Sequence, residues 1–352
     1  MSDTLKIGIV GCGMIGKSHL RAYSNIEEAE VIAIADVDEK EANKVAEEFG
    51  VSKVFADYKE LLAINEIENV DVCLPNFLHS PVSVDALNAG KHVFCEKPMA
   101  RNYEEASAML EAAKANDRDL GVQVNTIFQP NARGAKRIIN EGGLGHIYFA
   151  KLSNYRRKGR PWVDGYGTPH FVSNEKAGGG TLIDTGVYHF NRFLWLMDNP
   201  KPVTVSGATF QEMDVYEGRK DDIDVEEMAV GLIRFDTGLV LFVEDAWSAH
   251  MNESGGDVIL GSKGGLKVDP LSFHSDMFGI ESNTTFDTRL AEYHQNQYDE
   301  NRAGYASPHH HWVYSLLGKL PKIPTGEIAL NTVRISDAIY ESAARGEEVK
   351  LA

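Results

Sequence analysis

The sequence predicts a doubly wound α/β domain followed by an α+β domain with a large, mostly antiparallel open sheet. Three observations carry that reading. Between residues 6 and 124, short apolar runs alternate with helical patterns, as in a parallel sheet covered on both faces. The first apolar run leads directly into Gly11-Cys12-Gly13-Met14-Ile15-Gly16 and then into a helical pattern. After about residue 125 the helical spacing gives way to extended runs separated by turn signals.

Taken in order, the strands of the first domain are expected at 6–10, 31–35, 54–55, 70–74, 92–95 and 120–124, with helices filling the gaps. In the second part a helix over 131–141 precedes extended runs at 147–154, 203–210, 227–235, 239–246 and 256–260, with Asp236-Thr237-Gly238 as one of the turns. An apolar-rich helix over 180–197 interrupts them. The last helical pattern, 328–344, ends at Gly346 and could pack back on the first domain. The division is therefore 1–124 and 125–352, without an internal repeat or low-complexity tract.

The glycines of the hexapeptide have separate tasks. Gly11 permits a tight turn, Gly13 lets the backbone approach a pyrophosphate, and Gly16 lets the helix pack on the strand. Met14 and Ile15 complete the loop, whose unpaired N–H groups at the helix start favour a diphosphate. The second strand ends in Asp36, at the spacing of the acid that binds adenosine ribose hydroxyls. With Asp38 beside it and no adjacent Arg, a 2′-phosphate is poorly received; NAD is favoured over NADP despite Lys40 nearby. The first domain reads as a Rossmann dinucleotide-binding domain. Pro75-Asn76-Phe77-Leu78-His79 and Glu96-Lys97-Pro98 stand at carboxyl ends of strands, where such sheets bind ligands.

The net charge of −17 argues against nucleic acid and anionic membrane surfaces, and an anionic substrate would need a local basic pocket. Cys12, Cys73 and Cys95 lie in or beside buried strands without a C-x-x-C spacing and read as small apolar residues. No segment approaches ~20 uninterrupted apolar residues, and no basic leader precedes the first strand, so a reducing cytoplasmic compartment is expected. His309-His310-His311 point in different directions with no Cys or acid pair to complete a site, so no metal is expected.

Oxidation of a secondary alcohol by a nicotinamide needs a group that takes the hydroxyl proton. Lys97 is the candidate, provided that desolvation and nearby positive charge lower it from a free value of ~10.4; position alone would equally suit a surface lysine. Asp36, Pro75-Asn76, His79 and Glu96-Lys97-Pro98, with the run Gly178-Gly179-Gly180-Thr181-Leu182-Ile183-Asp184-Thr185-Gly186, resemble the glucose-fructose oxidoreductase/inositol dehydrogenase/MocA family. The resemblance extends to Asn199-Pro200-Lys201-Pro202-Val203 and Leu260-Gly261-Ser262-Lys263-Gly264-Gly265, and so covers nearly the whole chain.

That resemblance implies Lys97 as the catalytic lysine and Asp184 as the substrate-site aspartate, although Thr185 and Gly186 would also suit Asp184 as a helix cap. Where the family commonly has a His four residues after the Asp, this chain has Tyr188, followed by His189. On a regular helix 188 shares the face of 184 and 189 is turned about 100° away, so Tyr188 ranks ahead of His189 as the second proton carrier. At the crossover after the first domain, Gln123, Asn125 and Phe128 fall where the family lines its substrate pocket, with Asn125 as a hydroxyl contact. Tyr155 precedes the basic, glycine-rich stretch 156–167, which reads either as a mobile loop whose Trp162 stacks on the sugar or nicotinamide, or as a solvated connection at a sheet edge.

The expected activity is NAD-dependent oxidation of a ring secondary hydroxyl of a sugar, glycoside or cyclic polyol. The first rival is an enzyme that retains NAD and oxidises a sugar transiently, for glycoside cleavage or sugar–sugar oxidoreduction. The second is a non-catalytic sugar or NAD sensor, against which the intact Glu96-Lys97-Pro98 stands. A sheet with one uncovered face implies a homodimer or homotetramer.

Overall fold

Apolar side chains of β1 (Leu5–Val10) are buried nearly throughout, as a strand covered on both faces requires. Around it the computed structural model, which describes residues 4–214, 223–251, 254–288 and 307–351, builds two compact units. The first holds β1, β2 (Ala29–Ala35), β3 (Lys53–Phe55), β4 (Asn69–Val72), β5 (His92–Cys95) and β6 (Leu120–Val122) in the order β3-β2-β1-β4-β5-β6, all parallel. The order reverses between β1 and β4, so the ligand edge lies outside their carboxyl ends. Helices Met14–Tyr23, Glu39–Phe49, Tyr58–Leu62, Asn76–Asn88 and Tyr103–Ala115 follow β1 to β5 in turn.

The carboxyl-terminal division differs from the expected one. Described residues from 307 to 327 belong to the first unit, whereas those from 328 onward belong to the second. Helix Pro308–Leu316 is anchored in the first unit by Trp312, whose indole N–H donates to Asn69 Oδ1 at 2.9 Å and whose ring stacks on Phe94. Gly121 leaves the space for it, since a Cβ there would stand 2.6 Å from the Trp312 ring.

The second unit is a nine-stranded sheet. Its strands are β7 (Ile147–Tyr155), β8 (Pro202–Phe210), β9 (Met228–Phe235), β10 (Val240–Ala246), β11 (Val258–Gly261), β12 (Gly264–Lys267), β13 (Ser272–Met277), β14 (Ile280–Thr285) and β15 (Val349–Lys350). They lie in the order β14-β13-β12-β11-β7-β10-β9-β8-β15, antiparallel except where β10 runs parallel to β7. The long helix Thr325–Arg345 belongs to this unit from residue 328 on and packs on its sheet. Its Ile339 side chain fills the space left by Gly207 on β8 and Gly231 on β9. Beyond 271 the chain forms the β13–β14 hairpin as far as 285, turning at Phe278-Gly279, both with positive φ; residues 289–306 lie outside the described ones. Among the described residues no helix is long and apolar enough to cross a membrane.

Candidate functional site

Backbone geometry builds the ligand edge of the first unit. Gly11 has φ +101°, and a Cβ on it would meet the Cys73 carbonyl oxygen at 2.2 Å; a Cβ on Gly16 would meet the Gly11 carbonyl oxygen at 2.0 Å. A Cβ on Gly13 would meet nothing within 4 Å. Two of the three glycines are thus required by the fold itself, while Gly13 faces open space at the start of helix Met14–Tyr23, where no side chain caps the helix. Met14 is 82% exposed beside it, and Ile15 is also exposed.

Asp36 stands at the end of β2 with its carboxylate fixed, Oδ2 accepting the Cys12 N–H at 2.7 Å and Oδ1 the Asp38 N–H at 2.9 Å. Asp38 caps the following helix through the Glu41 N–H, and Lys17 pairs with Glu41. The arrangement fits an adenine dinucleotide: an open cradle of N–H groups for the diphosphate and an oriented carboxylate for ribose hydroxyls.

Beyond β4, Pro75 and Asn76 begin helix Asn76–Asn88. His79 is fully buried, its Nδ1 2.7 Å from the Pro98 carbonyl oxygen and its Nε2 2.7 Å from that of Leu74. Burial lowers its pKa. His79, expected as a cofactor contact, thereby bridges the loop after β4 and the loop after β5.

The loop after β5 carries Glu96 and Lys97. Glu96 Oε2 accepts the Lys97 N–H at 2.9 Å, while Oε1 lies 2.9 Å from His19 Nε2, and the other ring nitrogen of His19 lies 2.9 Å from Asp71 Oδ2. Burial alone would push the His19 imidazole down, but the Asp71 carboxylate beside it, with Cys73, holds it well above its ordinary value. Asp71, completely buried, would be raised by burial, yet the His19 charge holds it low. Against them rests His309, its ring edge-on to His19 with centroids 4.3 Å apart. Burial and His19 push His309 down to about 4.

His309 therefore does meet an acid, contrary to the expectation for the histidine run. Donor atoms of His19, Asp71 and His309 lie within 4.8 Å of one another. Both His19 nitrogens nonetheless face carboxylate oxygens at hydrogen-bond distance, so protons already occupy the places where a cation would bind that ring.

In the second unit the helix expected over 180–197 is a π-helical turn, Leu182–Gly186, followed by helix Val187–Leu196. An α-helix advances about 100° per residue, which would turn 189 away from 184 and 188. The wider turn, with its i→i+5 spacing, shifts that phase. Asp184, Tyr188 and His189 emerge partly accessible, and every other residue from 181 to 190 is buried.

Buried carboxylates from distant strands hold this turn. Glu226 accepts the N–H groups of Gly180 at 2.8 Å and Leu182 at 3.1 Å, and the Tyr340 hydroxyl at 2.9 Å. Burial raises Glu226 to about 7. Asp245 at the end of β10 accepts the hydroxyls of Thr181 and, at 2.6 Å, Thr185. Asp257 lies 2.9 Å from His189 Nδ1 and accepts from Arg192 Nη2 at 2.6 Å; His189 would be lowered by burial, but Asp257 raises it. Asp184 itself accepts the indole N–H of the fully buried Trp247 at 3.0 Å. None of these supports was expected. The available signal was a pair of carboxylates, Glu244 and Asp245, following the apolar run 240–243 shortly before Trp247.

The remaining expected residues are dispersed over the second unit. Asn125 is exposed in a short 3-10 turn, Asn125–Phe128, and the adjacent Thr126 hydroxyl donates to the Tyr188 carbonyl at 2.9 Å. Tyr155 ends β7, its phenol pushed up to about 12 by burial and by Glu244. Trp162, with φ +64°, packs partly buried against the cluster that contains Trp247. The stretch 156–167 is pinned at its middle, where Arg160 is buried and bonds Asp164, Glu227 and the carbonyls of Met213 and Asp214, while 156–158 and 165–167 are exposed.

A family model described as an oxidoreductase family with an NAD-binding Rossmann fold matches residues 5–125, and the model of that oxidoreductase family's C-terminal alpha/beta domain matches 136–351. The chain is 28% identical over 360 residues to a D-glucoside 3-dehydrogenase of Escherichia coli (strain K12), covering 99% of this chain and 98% of the relative. It is 30% identical over 274 residues to a levoglucosan dehydrogenase of Pseudarthrobacter phenanthrenivorans, covering 70% and 69%, and 27% identical over 266 residues to a myo-inositol 2-dehydrogenase of Thermotoga maritima, covering 75% of each. Among solved structures, a levoglucosan dehydrogenase in complex with NADH and levoglucosan aligns at a TM-score of 0.84 with 25% identity, covering 99% of both chains.

Proposed function

Since the chain belongs to the glucose-fructose oxidoreductase/inositol dehydrogenase/MocA oxidoreductase family, we propose that it oxidises a ring secondary hydroxyl of a sugar, glycoside or cyclic polyol with NAD. The observation that carries this is the pairing of an open Gly13 cradle with Lys97 at the end of a nearby strand of the same sheet. The nicotinamide, when bound, accepts the hydride. Gly11, Gly13, Met14, Ile15 and Gly16 hold the diphosphate and Asp36 the adenosine ribose, while Pro75 and Asn76 lie at the adjoining strand end.

Lys97 Nζ takes the hydroxyl proton as the carbon loses its hydrogen as hydride, leaving a carbonyl. Asp184, aimed by the Trp247 indole, accepts from a substrate hydroxyl, and Tyr188, on the accessible side of the same turn, passes the proton onward. His189, engaged with Asp257, anchors the turn. Asn125, Tyr155 and Trp162 contribute further polar and stacking contacts to a sugar. Exposed Tyr148 on β7 and Phe210 on β8 support self-association as a dimer or tetramer. The thiols of Cys12, Cys73 and Cys95 are all free, which fits a reducing cytoplasmic compartment.

NADH fluorescence after mixing the protein and NAD with inositols, aldoses, anhydrosugars and glycosides tests the reading. Continuous growth with one compound, weaker with NADP, is the expected result. A single stoichiometric rise that stalls would replace free-cofactor turnover with a retained cofactor, and silence across the panel would remove the proposed substrate class.

A further inference from the structure

The first unit contains a chain of polar groups that the proposed chemistry leaves unused, running from Asp71 through His19 to Glu96 and ending on the Lys97 N–H. His19 is 2% exposed and Asp71 wholly buried. An unpaired charge in such a place costs several kcal/mol, and the three groups remove that cost by pairing with one another. Each end of the chain is defined: Asp71 sits within β4, and Glu96 directly follows β5.

We propose that His19 is a positioning residue for Lys97, acting through Glu96, whose one oxygen it grips so that the other is held on the Lys97 N–H. The inference rests on the assignment of Lys97 as proton carrier. Glu96 has a single side chain with two oxygens and two partners, so fixing Oε1 on His19 Nε2 fixes the direction of Oε2. Released from His19, the carboxylate is free to turn within its place beside Lys97. A carboxylate brought closer to a lysine ammonium favours its protonated form, which is a poor base. Asp71 supplies the charge that keeps His19 a double donor, and His309, kept neutral by burial and by His19 itself, covers the ring without competing for its protons. The segment that brings His309 into the first unit thereby closes the network from solvent.

Two conservative substitutions separate this role from plain packing. The amide nitrogen of Gln reaches about as far as Nε2 and that of Asn about as far as Nδ1, so His19→Gln retains a donor to Glu96 and His19→Asn retains only the donor to Asp71. The readout is trace acetylation of the full chain with acetic anhydride, in which Lys97 reactivity is measured by peptide mass spectrometry relative to exposed Lys59, with NAD affinity and Tm recorded alongside. His19→Asn is expected to lower relative Lys97 labelling by roughly threefold to tenfold, and His19→Gln to restore it to within about twofold, with NAD affinity and Tm similar in the two variants. Unchanged labelling in His19→Asn overturns the proposal. Equal losses in both variants, together with a lower Tm, overturn it as well, because a packing role does not discriminate between the two nitrogens. Labelling needs no substrate, so these outcomes stand apart from the assignment of Lys97, which fails separately if Lys97→Ala retains turnover.

Discussion

The ligand edge of the first unit and the π turn of the second present reactive groups in opposite ways. At the first, the backbone makes the site: a positive φ at Gly11, a close approach at Gly16, an open face at Gly13 and a helix start without a side-chain cap. At the second, side chains make it, and they come from far along the chain. Glu226 reaches Gly180 and Leu182, Asp245 reaches Thr181 and Thr185, Asp257 reaches His189, and Trp247 reaches Asp184. A backbone-built site is written in a few consecutive residues, whereas a network-built site is fixed only once the sheet has paired.

The two kinds of site fail differently when a methyl group is added. Gly180→Ala places a Cβ 1.9 Å from the Glu226 carbonyl oxygen, a backbone atom that cannot step aside without moving the strand entry behind the turn. Overpacking of this kind costs about 3 kcal/mol, so the melting temperature should drop by several degrees and substrate turnover should fall with it. A melting temperature equal to that of the wild type would mean that the turn is not clamped by its carboxylates.

This contrast also explains what could be read from the residues beforehand. The strands of the first domain and the close approaches at Gly11 and Gly16 follow from local spacing and apolar runs, and the structure shows them. The β13–β14 hairpin was missed because both its faces are largely exposed and its residues lack apolar alternation. The π turn has no sequence signature that a helical pattern does not share, and its carboxylate clamps lie more than 40 residues away. His309 was assigned no acid because its partners, His19 and Asp71, come from elements more than 200 residues earlier.

The first unit has one network of its own, and pH isolates it. His19 is bound more tightly to its proton in the folded state than its unfolded value of about 6.5 implies. The stability it contributes is therefore complete below about pH 6.5 and is lost as pH rises through the folded value, at up to about 1.4 kcal/mol per pH unit. The groups facing it are Asp71, Cys73, Glu96 and His309. Thermal melts of the wild type from pH 6.5 to 9 should slope downward, with a shallower slope in His19→Gln. Parallel slopes would show that His19 is not the titrating group.

Gly13→Ala sharpens the comparison from the other side. Its Cβ meets nothing in the protein, so folding should be unaffected, yet it projects into the space assigned to the diphosphate. NAD affinity, measured by calorimetry, should fall about tenfold, or ~1.4 kcal/mol, while Tm stays within a degree or so. Unchanged affinity would remove Gly13 from the cradle and leave the loop as an ordinary strand-to-helix connection.

The smallest effect is expected where a single bond of the second site is removed without changing its packing. Trp247→Phe keeps an aromatic ring in a fully buried place and deletes the N–H that Asp184 accepts at 3.0 Å. A hydrogen bond to a charged group contributes about 1.5–3 kcal/mol when its partner stays buried, but Asp184 is partly accessible and water can replace the donor. The loss should therefore lie near 1 kcal/mol, a roughly fivefold rise in KM with kcat less affected. A fall in kcat at constant KM would place the Trp247–Asp184 pair in the reaction step itself. In that case the second site, though built from side chains, would be as tightly coupled to the chemistry as is proposed for Lys97 of the first.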